Sequence, residues 1–212
     1  MRVAVRENSN LFFGGYYAEM QKWFVGSIPT SSTIMIKIKI IEIAGFVSAL
    51  KALHLPFGKE CNSIAESNGC VFEKDGCHCD WHANISEHDE KLLRKLINAG
   101  DEHAKVVRGI VAYLEINAPR FWWQEFDTYR MGCEKLASES TMHIQGKGMN
   151  EDELVEMKSN LTEGTMQKRI VMVSYQTLRR IYKQRKNHRL PHWRIFCKWM
   201  VDNLPYAWMI IE

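Results

Sequence analysis

The sequence predicts an α+β fold in which helices outnumber strands, and the spacing of apolar residues carries that prediction. Residues 35–43 (MIKIKIIEI) alternate apolar and polar side chains, as a half-buried strand does. Residues 110–116 (IVAYLEI) have the same strand character in the middle of the chain. Most of the other structured segments carry helix signals, so we predict the order strand, helix, loop, helix, helix, strand and then mostly helices.

Helix boundaries follow from residues that start or stop helices. Ser86 is a good N-cap, Gly100 suits the position just past a helix, and Pro119 suits a first helical turn. A short helix is expected near Asp101. The other expected helices cover residues 45–55, 87–99, 119 to about 131, 151–159, 174 or 175 to about 186, and 191–204.

The domain organisation is predicted from a change in patterning along the 212 residues. Residues 1–34 contain Gly14-Gly15 and Pro29 and show no sustained period, so we interpret them as an N-terminal arm or extension. Residues 35–212 are then a single domain with a Cys-rich insertion near 57–85.

The composition fits a globular protein, with 46% hydrophobic and 25% charged residues. The net charge of +3 is too small to indicate nucleic acid by itself. No apolar run is long enough to span a bilayer, and the N-terminus lacks a secretory pattern. Six cysteines are therefore expected to be free thiols in a reducing cytoplasm.

Cysteine and histidine are concentrated in one loop, with the spacing Cys70-x6-Cys77-His78-Cys79-x2-His82. Soft ligands at short spacing suggest zinc, but this spacing matches no standard zinc motif. The alternative is a thiol-rich loop without a ligand. We assign no metal ligand on this pattern.

The segment after Pro119 is rich in hydrogen-bonding side chains. Arg120, Gln124, Asp127 and Arg130 would share one helix face, and Ser138, Ser140, Thr141 and His143 follow closely. Small hydroxyl side chains beside arginine suit phosphate recognition. The alternative is an ordinary core helix whose polar stripe forms ion pairs.

A second basic segment, residues 168–194, contains no acidic residue. Leu178, Ile181 and Tyr182 have packing spacing, which leaves a surface formed by Gln176, Arg179, Arg180, Lys183 and Arg185. Such a surface is either a solvated charged face or an anion site.

The stretch from His103 to Thr141 resembles the flavin-dependent thymidylate synthase (ThyX) family. The correspondence places the family's early His on His103, its Ala-Pro on Ala118-Pro119, the final Arg of its Arg-His-Arg-x-x-Ser signature on Arg130, and the first Ser of its Ser-x-Arg-Tyr element on Ser138. The family's C-terminal pair of helices resembles residues 178–193. The segments FDTYR (residues 126–130) and STMH (residues 140–143) also resemble an uncharacterised phage-type branch.

The chain departs from the family signature at several defining positions. The departures are Thr128 and Tyr129 for Arg and His, Cys133 for Ser, Ser140 and Thr141 for Arg and Tyr, and Gly109 for the second His of the early element. The resemblance therefore indicates the fold more directly than the activity.

The resemblance implies a ThyX-like fold, with an antiparallel or mixed sheet, flanking helices and a helix-rich C-terminal half, and an enzyme that methylates dUMP reductively to dTMP. Methylenetetrahydrofolate would supply the carbon, FAD the hydride, and NADPH would reduce the flavin. The active sites would be shared between subunits of a homotetramer.

Roles for individual residues follow from the same resemblance. Arg130 would be catalytic. Cys133 is a catalytic candidate on a separate argument, because a thiolate beside Arg130 could have a lowered pKa; the alternative is a small buried apolar residue. FAD would contact His103, Gln124, Tyr129 and Arg130. The nucleotide would contact Ser138, Ser140, Gln176 and Arg185.

Two alternatives remain open at the level of sequence. The chain is a nucleotide-binding relative that keeps the fold and has lost or altered the reaction, or it is a non-enzymatic module for single-stranded nucleic acid. The last alternative uses the basic segment 168–194 with Tyr175, Tyr182 and Trp193 as stacking surfaces, and it is the less favoured one.

Overall fold

The structure is a computed structural model that describes residues 35–58 and 85–212. The predicted arm at 1–34, the body of the Cys-rich insertion and the zinc alternative fall outside those residues. They remain predictions.

The described part contains a four-stranded sheet in which every neighbouring pair is antiparallel. The strands are β1 (Lys37–Ala44), β2 (Val111–Pro119), β3 (Cys133–Ser138) and β4 (Met166–Ser174). Their order across the sheet is β1-β2-β4-β3. The two strands predicted from periodicity are confirmed as β1 and β2, and they are direct neighbours.

β3 and β4 were not predicted, because the sequence after residue 116 indicated mostly helices. β3 (CEKLAS) lies at the edge of the sheet and its last five residues are exposed, so it has no alternation of buried and exposed positions. Its backbone pairing with β4 defines it instead. An exposed edge strand leaves little trace in hydrophobic periodicity.

Eight α-helices surround the sheet within the described ranges, and two 3-10 helices occur at Leu55–Phe57 and Lys105–Arg108. The α-helices are α1 (Phe46–His54), α2 (Glu87–Ala99), α3 (Arg120–Phe126), α4 (Thr141–Ile144), α5 (Glu151–Ser159), α6 (Tyr175–Arg185), α7 (Pro191–Asn203) and α8 (Trp208–Ile211). No described helix has the length and apolar character required to cross a membrane.

The predicted bounds of α2 and α5 are confirmed, and α6 begins after Ser174 as expected. Two helix predictions are wrong. The expected helix near Asp101 is a 3-10 helix that begins only at Lys105, and the helix after Pro119 stops at Phe126 instead of continuing to about Met131.

An aromatic cluster holds α3 against α7. The ring centroids of Trp122 and Trp193 are 4.8 Å apart, and those of Trp122 and Phe196 are 5.5 Å apart. All three side chains are fully buried. Large aromatic pairs of this kind contribute packing beyond their buried area, so the end of α3 has a fixed position relative to the C-terminal helices.

Candidate functional site

A concave feature lies where the chain turns out of α3 and meets α6. It is an open pocket of about 280 Å³, lined by Thr128, Tyr129, Arg130, Met131, Arg180 and Gln184. Residues 128–131 form one wall. Arg180 and Gln184, four residues apart on α6 and therefore on one helix face, form the other.

Each wall of the pocket contributes one exposed arginine, Arg130 and Arg180. No acidic residue lines the pocket within the described chain. The two guanidinium groups therefore create a local positive field that no lining carboxylate cancels. An anion is the ligand that such a field attracts.

Tyr129 forms a rigid part of the pocket lining. Its side chain is 5% exposed, and its hydroxyl donates to Gln184 Oε1 at 2.9 Å while accepting from Arg185 Nε at 2.9 Å. The Arg180 guanidinium lies 5.8 Å from the centroid of the ring. With its hydroxyl already bonded on both sides, Tyr129 orders the pocket and leaves ligand binding to its neighbours.

Arg185, predicted as a nucleotide ligand, is not among the residues that line this pocket. Its Nη1 donates to Glu125 Oε2 at 2.7 Å, and its guanidinium carbon lies 4.7 Å from the centroid of the Trp193 ring. Trp193 Nε1 donates to the same Glu125 oxygen at 2.8 Å. In one protomer Arg185 thus supports Tyr129 from behind, and its charge is balanced by Glu125.

The prediction that Arg179 shares the exposed basic face is wrong. Arg179 is only 3% exposed and donates to Asp101 Oδ1 at 2.6 Å and to the Ile97 carbonyl at 3.0 Å. Its position on α6 points it toward the residues that follow α2. Arg180, the next residue, is exposed.

The polar stripe predicted for the helix after Pro119 does not form, because α3 ends before it is complete. Beyond Phe126, Asp127 pairs with Arg169 at 3.0 Å and with Lys135 at 3.3 Å. Arg130 lies beyond the end of α3 and lines the pocket.

The remaining predicted nucleotide ligands lie elsewhere. Ser138 is exposed at the end of β3, where it pairs in register with Arg169. Ser140 caps α4 by accepting from the His143 N–H. Gln176 is half-buried in the first turn of α6. None of Ser138, Ser140, Gln176 and Arg185 lines the pocket in one protomer, whereas Arg180 lines it together with Arg130.

Cys133 does not have the lowered pKa that a nucleophile beside Arg130 would need. The thiol is half-buried at the start of β3, and burial raises its pKa to about 12, with further increases from the charges of Glu134 and Asp127. The expectation of an activated thiolate is thus overturned. A small, partly buried residue is the interpretation that fits these surroundings.

The residues assigned to FAD by resemblance do not come together in one chain. Only Tyr129 and Arg130 line the pocket. Gln124 Nε2 donates to Glu163 Oε2 at 2.8 Å, and the exposed His103 lies beside Glu102. Within one chain these four residues do not meet, so the assignment of FAD ligands stays a prediction.

The sequence did not single out Arg180 and Gln184 as one wall of the site. The signal was present, because the two residues are four positions apart within the acid-free segment. The sequence does not show whether the Arg179 side chain faces the core or solvent, however, so it could not identify the exposed face of α6.

Two of the three aromatic side chains proposed as stacking surfaces for nucleic acid are inaccessible to a ligand. Tyr175 and Trp193 are fully buried, so a base cannot stack on them. Among the described residues, no group of three or more His, Cys, Asp or Glu side chains is arranged to hold a metal ion.

Comparison with known proteins shows likeness at the level of structure alone. No protein-family model matches the chain, and no curated protein does. The flavin-dependent thymidylate synthase ThyX from Helicobacter pylori, complexed with FAD and dUMP, aligns with a TM-score of 0.57 at 12% identity, over 82% of this chain and 98% of that one.

Two further solved structures align in the same way. A second crystal structure of Helicobacter pylori ThyX with FAD and dUMP has a TM-score of 0.57 at 12% identity, over 83% of this chain and 100% of that one. The UMP/dUMP methylase PolB from Streptomyces cacaoi, bound with 5-Br dUMP, has a TM-score of 0.50 at 10% identity, over 79% and 88%. The chain therefore has a ThyX-like α+β fold, with an antiparallel sheet and flanking helices.

Proposed function

We propose that the protein binds a pyrimidine nucleotide in the pocket between α3 and α6, with the phosphate held by Arg130 and Arg180. The observation that carries the proposal is the pair of exposed arginines on opposite walls of a pocket whose lining contains no acid. The shared fold adds support, because the similar ThyX structures were solved with dUMP.

The chemistry of arginine explains why phosphate is the favoured anion. A guanidinium group presents a planar set of donors that matches two phosphate oxygens at once. Two such groups from opposite walls balance the charge of a phosphate monoester near neutral pH. Arg185 is already paired with Glu125, so Arg130 and Arg180 supply the charge for the ligand.

The polarity of the pocket supports a nucleotide, and its volume limits how much of the ligand it encloses. The volume of about 280 Å³ lies just below the usual range of ligand sites, roughly 300–1,000 Å³. Gln184 accepts from Tyr129 through Oε1, and its amide N–H groups can donate to a base carbonyl. A pyrimidine offers such carbonyls.

Calorimetric titration of dUMP into the wild type and into Arg130→Gln and Arg180→Gln tests this proposal. Each substitution removes a charge-assisted contact of about 2 kcal/mol, so affinity should fall about 30-fold. Arg189→Gln is the matched control, because Arg189 is an exposed arginine in the same basic segment and does not line the pocket. Unchanged affinity in both pocket variants would contradict the proposal.

A second candidate function is the reductive methylation of dUMP to dTMP by a cytoplasmic homotetramer using FAD, methylenetetrahydrofolate and NADPH. The observation that favours it is the extent of the likeness to structures solved with both FAD and dUMP, over more than four fifths of this chain. FAD, when bound, would carry the hydride. Since one protomer does not bring the flavin ligands together, residues from other subunits would have to complete the site.

The absorbance spectrum of the purified protein, before and after FAD is added, tests the second candidate. A bound flavin gives a yellow protein with absorbance in the near-ultraviolet and blue, and an assay for dTMP then tests turnover. A colourless protein that binds dUMP and rejects added FAD would exclude this reaction and leave the nucleotide pocket intact. In that case the chain is a nucleotide-binding relative with a lost or altered reaction.

A further inference from the structure

Two backbone carbonyls of the pocket wall that carries Arg130 accept hydrogen bonds from residues at the start of α6. Thr177 Oγ1 donates to the Met131 carbonyl at 2.6 Å, and the Ser174 N–H donates to the Gly132 carbonyl at 2.8 Å. Thr177 and Ser174 are 3% and 4% exposed, so the donor of each contact is buried, whereas Met131 and Gly132 are exposed. A buried donor that loses its partner is costly.

Gly132 permits this close approach. Its φ is +67°, in the left-handed region, and a Cβ at this position would lie 2.5 Å from Ser174 Oγ and 2.8 Å from Thr177 Oγ1. Any side chain would therefore push the wall away from α6. The backbone at Gly132 thus lies directly against the hydroxyls of Ser174 and Thr177.

Capping of α6 does not require the Thr177 hydroxyl. Ser174 is the N-cap, and its Oγ accepts from the Thr177 N–H at 3.3 Å. The Thr177 hydroxyl instead donates away from its own helix, to a residue of the opposite wall. The same oxygen lies 3.1 Å from Ser174 Oγ, so the Thr177 hydroxyl joins the N-cap of α6 to the opposite wall.

Thr177 also lies on the helix that supplies the second wall. Arg180 follows it by three residues, close to one helical turn, and the contact to Met131 adjoins Arg130. The hydrogen bond from Thr177 to Met131 thus links the backbone next to Arg130 to the helix that carries Arg180. We infer that Thr177 is a positioning residue that fixes the spacing of Arg130 and Arg180 for a phosphate, an inference that rests on the proposed nucleotide function.

The test compares Thr177→Val, which keeps the shape and loses the donor, with Thr177→Ser, which keeps the donor. Each variant is titrated with dUMP and with deoxyuridine, which lacks the phosphate. In Thr177→Val the ratio of the two affinities should fall about 10-fold, while Thr177→Ser should stay within about 3-fold of the wild type. Thermal unfolding of each variant separates a general loss of stability from a change at the pocket.

Thr177→Cys provides a weak donor of similar size in case Thr177→Val does not fold. Its ratio of dUMP affinity to deoxyuridine affinity should lie below that of the Ser variant and above about one. A lower melting temperature with an unchanged affinity ratio in the Val or Cys variant would overturn the positioning role. A wild type that binds dUMP no better than deoxyuridine would overturn the proposed phosphate site itself. The two failures are therefore distinguishable.

Discussion

Two adjacent arginines on α6 have opposite environments. Arg179 is buried and bonded to Asp101 and the Ile97 carbonyl, whereas Arg180 is exposed and lines the pocket. One step along a helix rotates a side chain by about 100°, so neighbours in sequence face different surroundings. Composition alone made the two residues equivalent, and the packing of α6 separates them.

Cys133 should react slowly with alkylating reagents. At pH 8, a thiol whose pKa is raised to about 12 has a thiolate fraction about a thousand-fold smaller than one with the reference value of 9.0. Iodoacetamide labelling followed by peptide mass spectrometry measures the rate at this site. The same protein unfolded in urea is the control, and there Cys133 should label rapidly. Fast labelling in the folded protein would restore the nucleophile hypothesis.

At the scale of the element, the Arg179–Asp101 pair ties α6 to the chain that follows α2. Asp101 has a side chain 59% exposed, but it neutralises a guanidinium that is only 4% exposed. Asp101→Ala should therefore destabilise the protein by about 2 kcal/mol, although Asp101 itself is a surface residue. Urea denaturation measures the free energy of unfolding.

The control for that pair is Glu102→Ala, which alters a neighbouring exposed carboxylate outside the Arg179 pair. Its effect should stay within about 0.5 kcal/mol, as is usual for surface substitutions. Equal effects of the two variants would show that Arg179 does not depend on Asp101.

The turn between β1 and α1 depends on a glycine. Gly45 has a φ of +97°, and a Cβ there would lie 1.9 Å from the Gly109 carbonyl oxygen. Gly45→Ala should lower the free energy of unfolding by more than about 1 kcal/mol, because backbone strain adds to this overlap. Gly58→Ala is the matched control, since Gly58 also has a positive φ and a Cβ there meets nothing within 4 Å. An equal loss in both variants would assign the effect to φ alone.

Elements with local signals could be predicted from the sequence, and elements defined by tertiary pairing could not. α2 begins after Ser86, whose side chain accepts a backbone N–H bond, so its start followed from capping. α5 begins after Asn150, which caps it in the same way. α3 gave no such signal at its end. There Thr128 Oγ1 bonds the Glu125 carbonyl and the chain tightens into a turn.

The candidate site was predictable in part for the same reason. Tyr129 and Arg130 were singled out by resemblance, and both line the pocket. Arg180 and Gln184 were not, because the exposed face of α6 depends on what its buried face contacts. The pair of Arg185 with Glu125 is likewise a tertiary contact that no local pattern reveals.

At the scale of the whole molecule, stability should decline in alkaline solution. Burial raises the pKa of Cys133 and of Cys197 from 9.0 to about 12 and also raises the pKa of Tyr175. The folded state therefore keeps protons that the unfolded chain releases above about pH 9. Stability is fully present below that pH and is lost as the pH rises toward the folded pKa values.

Urea denaturation between pH 8 and pH 10.5 tests this expectation. Each buried thiol should contribute a loss of up to about 1.4 kcal/mol per pH unit above pH 9. Cys197→Ala should make the decline shallower, because it removes one of the groups that must ionise. A free energy of unfolding that stays constant or rises over this range would contradict the buried positions of these side chains.

The whole-molecule likeness to ThyX structures rests on topology, since identity is only 10–12%. At that distance the likeness shows the fold and does not assign individual ligands. Function therefore has to be argued from the site. In this chain the site that we propose is the pocket lined by Arg130 and Arg180.

A crystal structure of the protein with dUMP is the most direct test of this assignment. We expect the phosphate to lie between Arg130 and Arg180, within hydrogen-bond distance of both guanidinium groups, with the base toward Gln184. A phosphate bound at Ser138 or elsewhere, with Arg130 and Arg180 both directed into solvent, would contradict it.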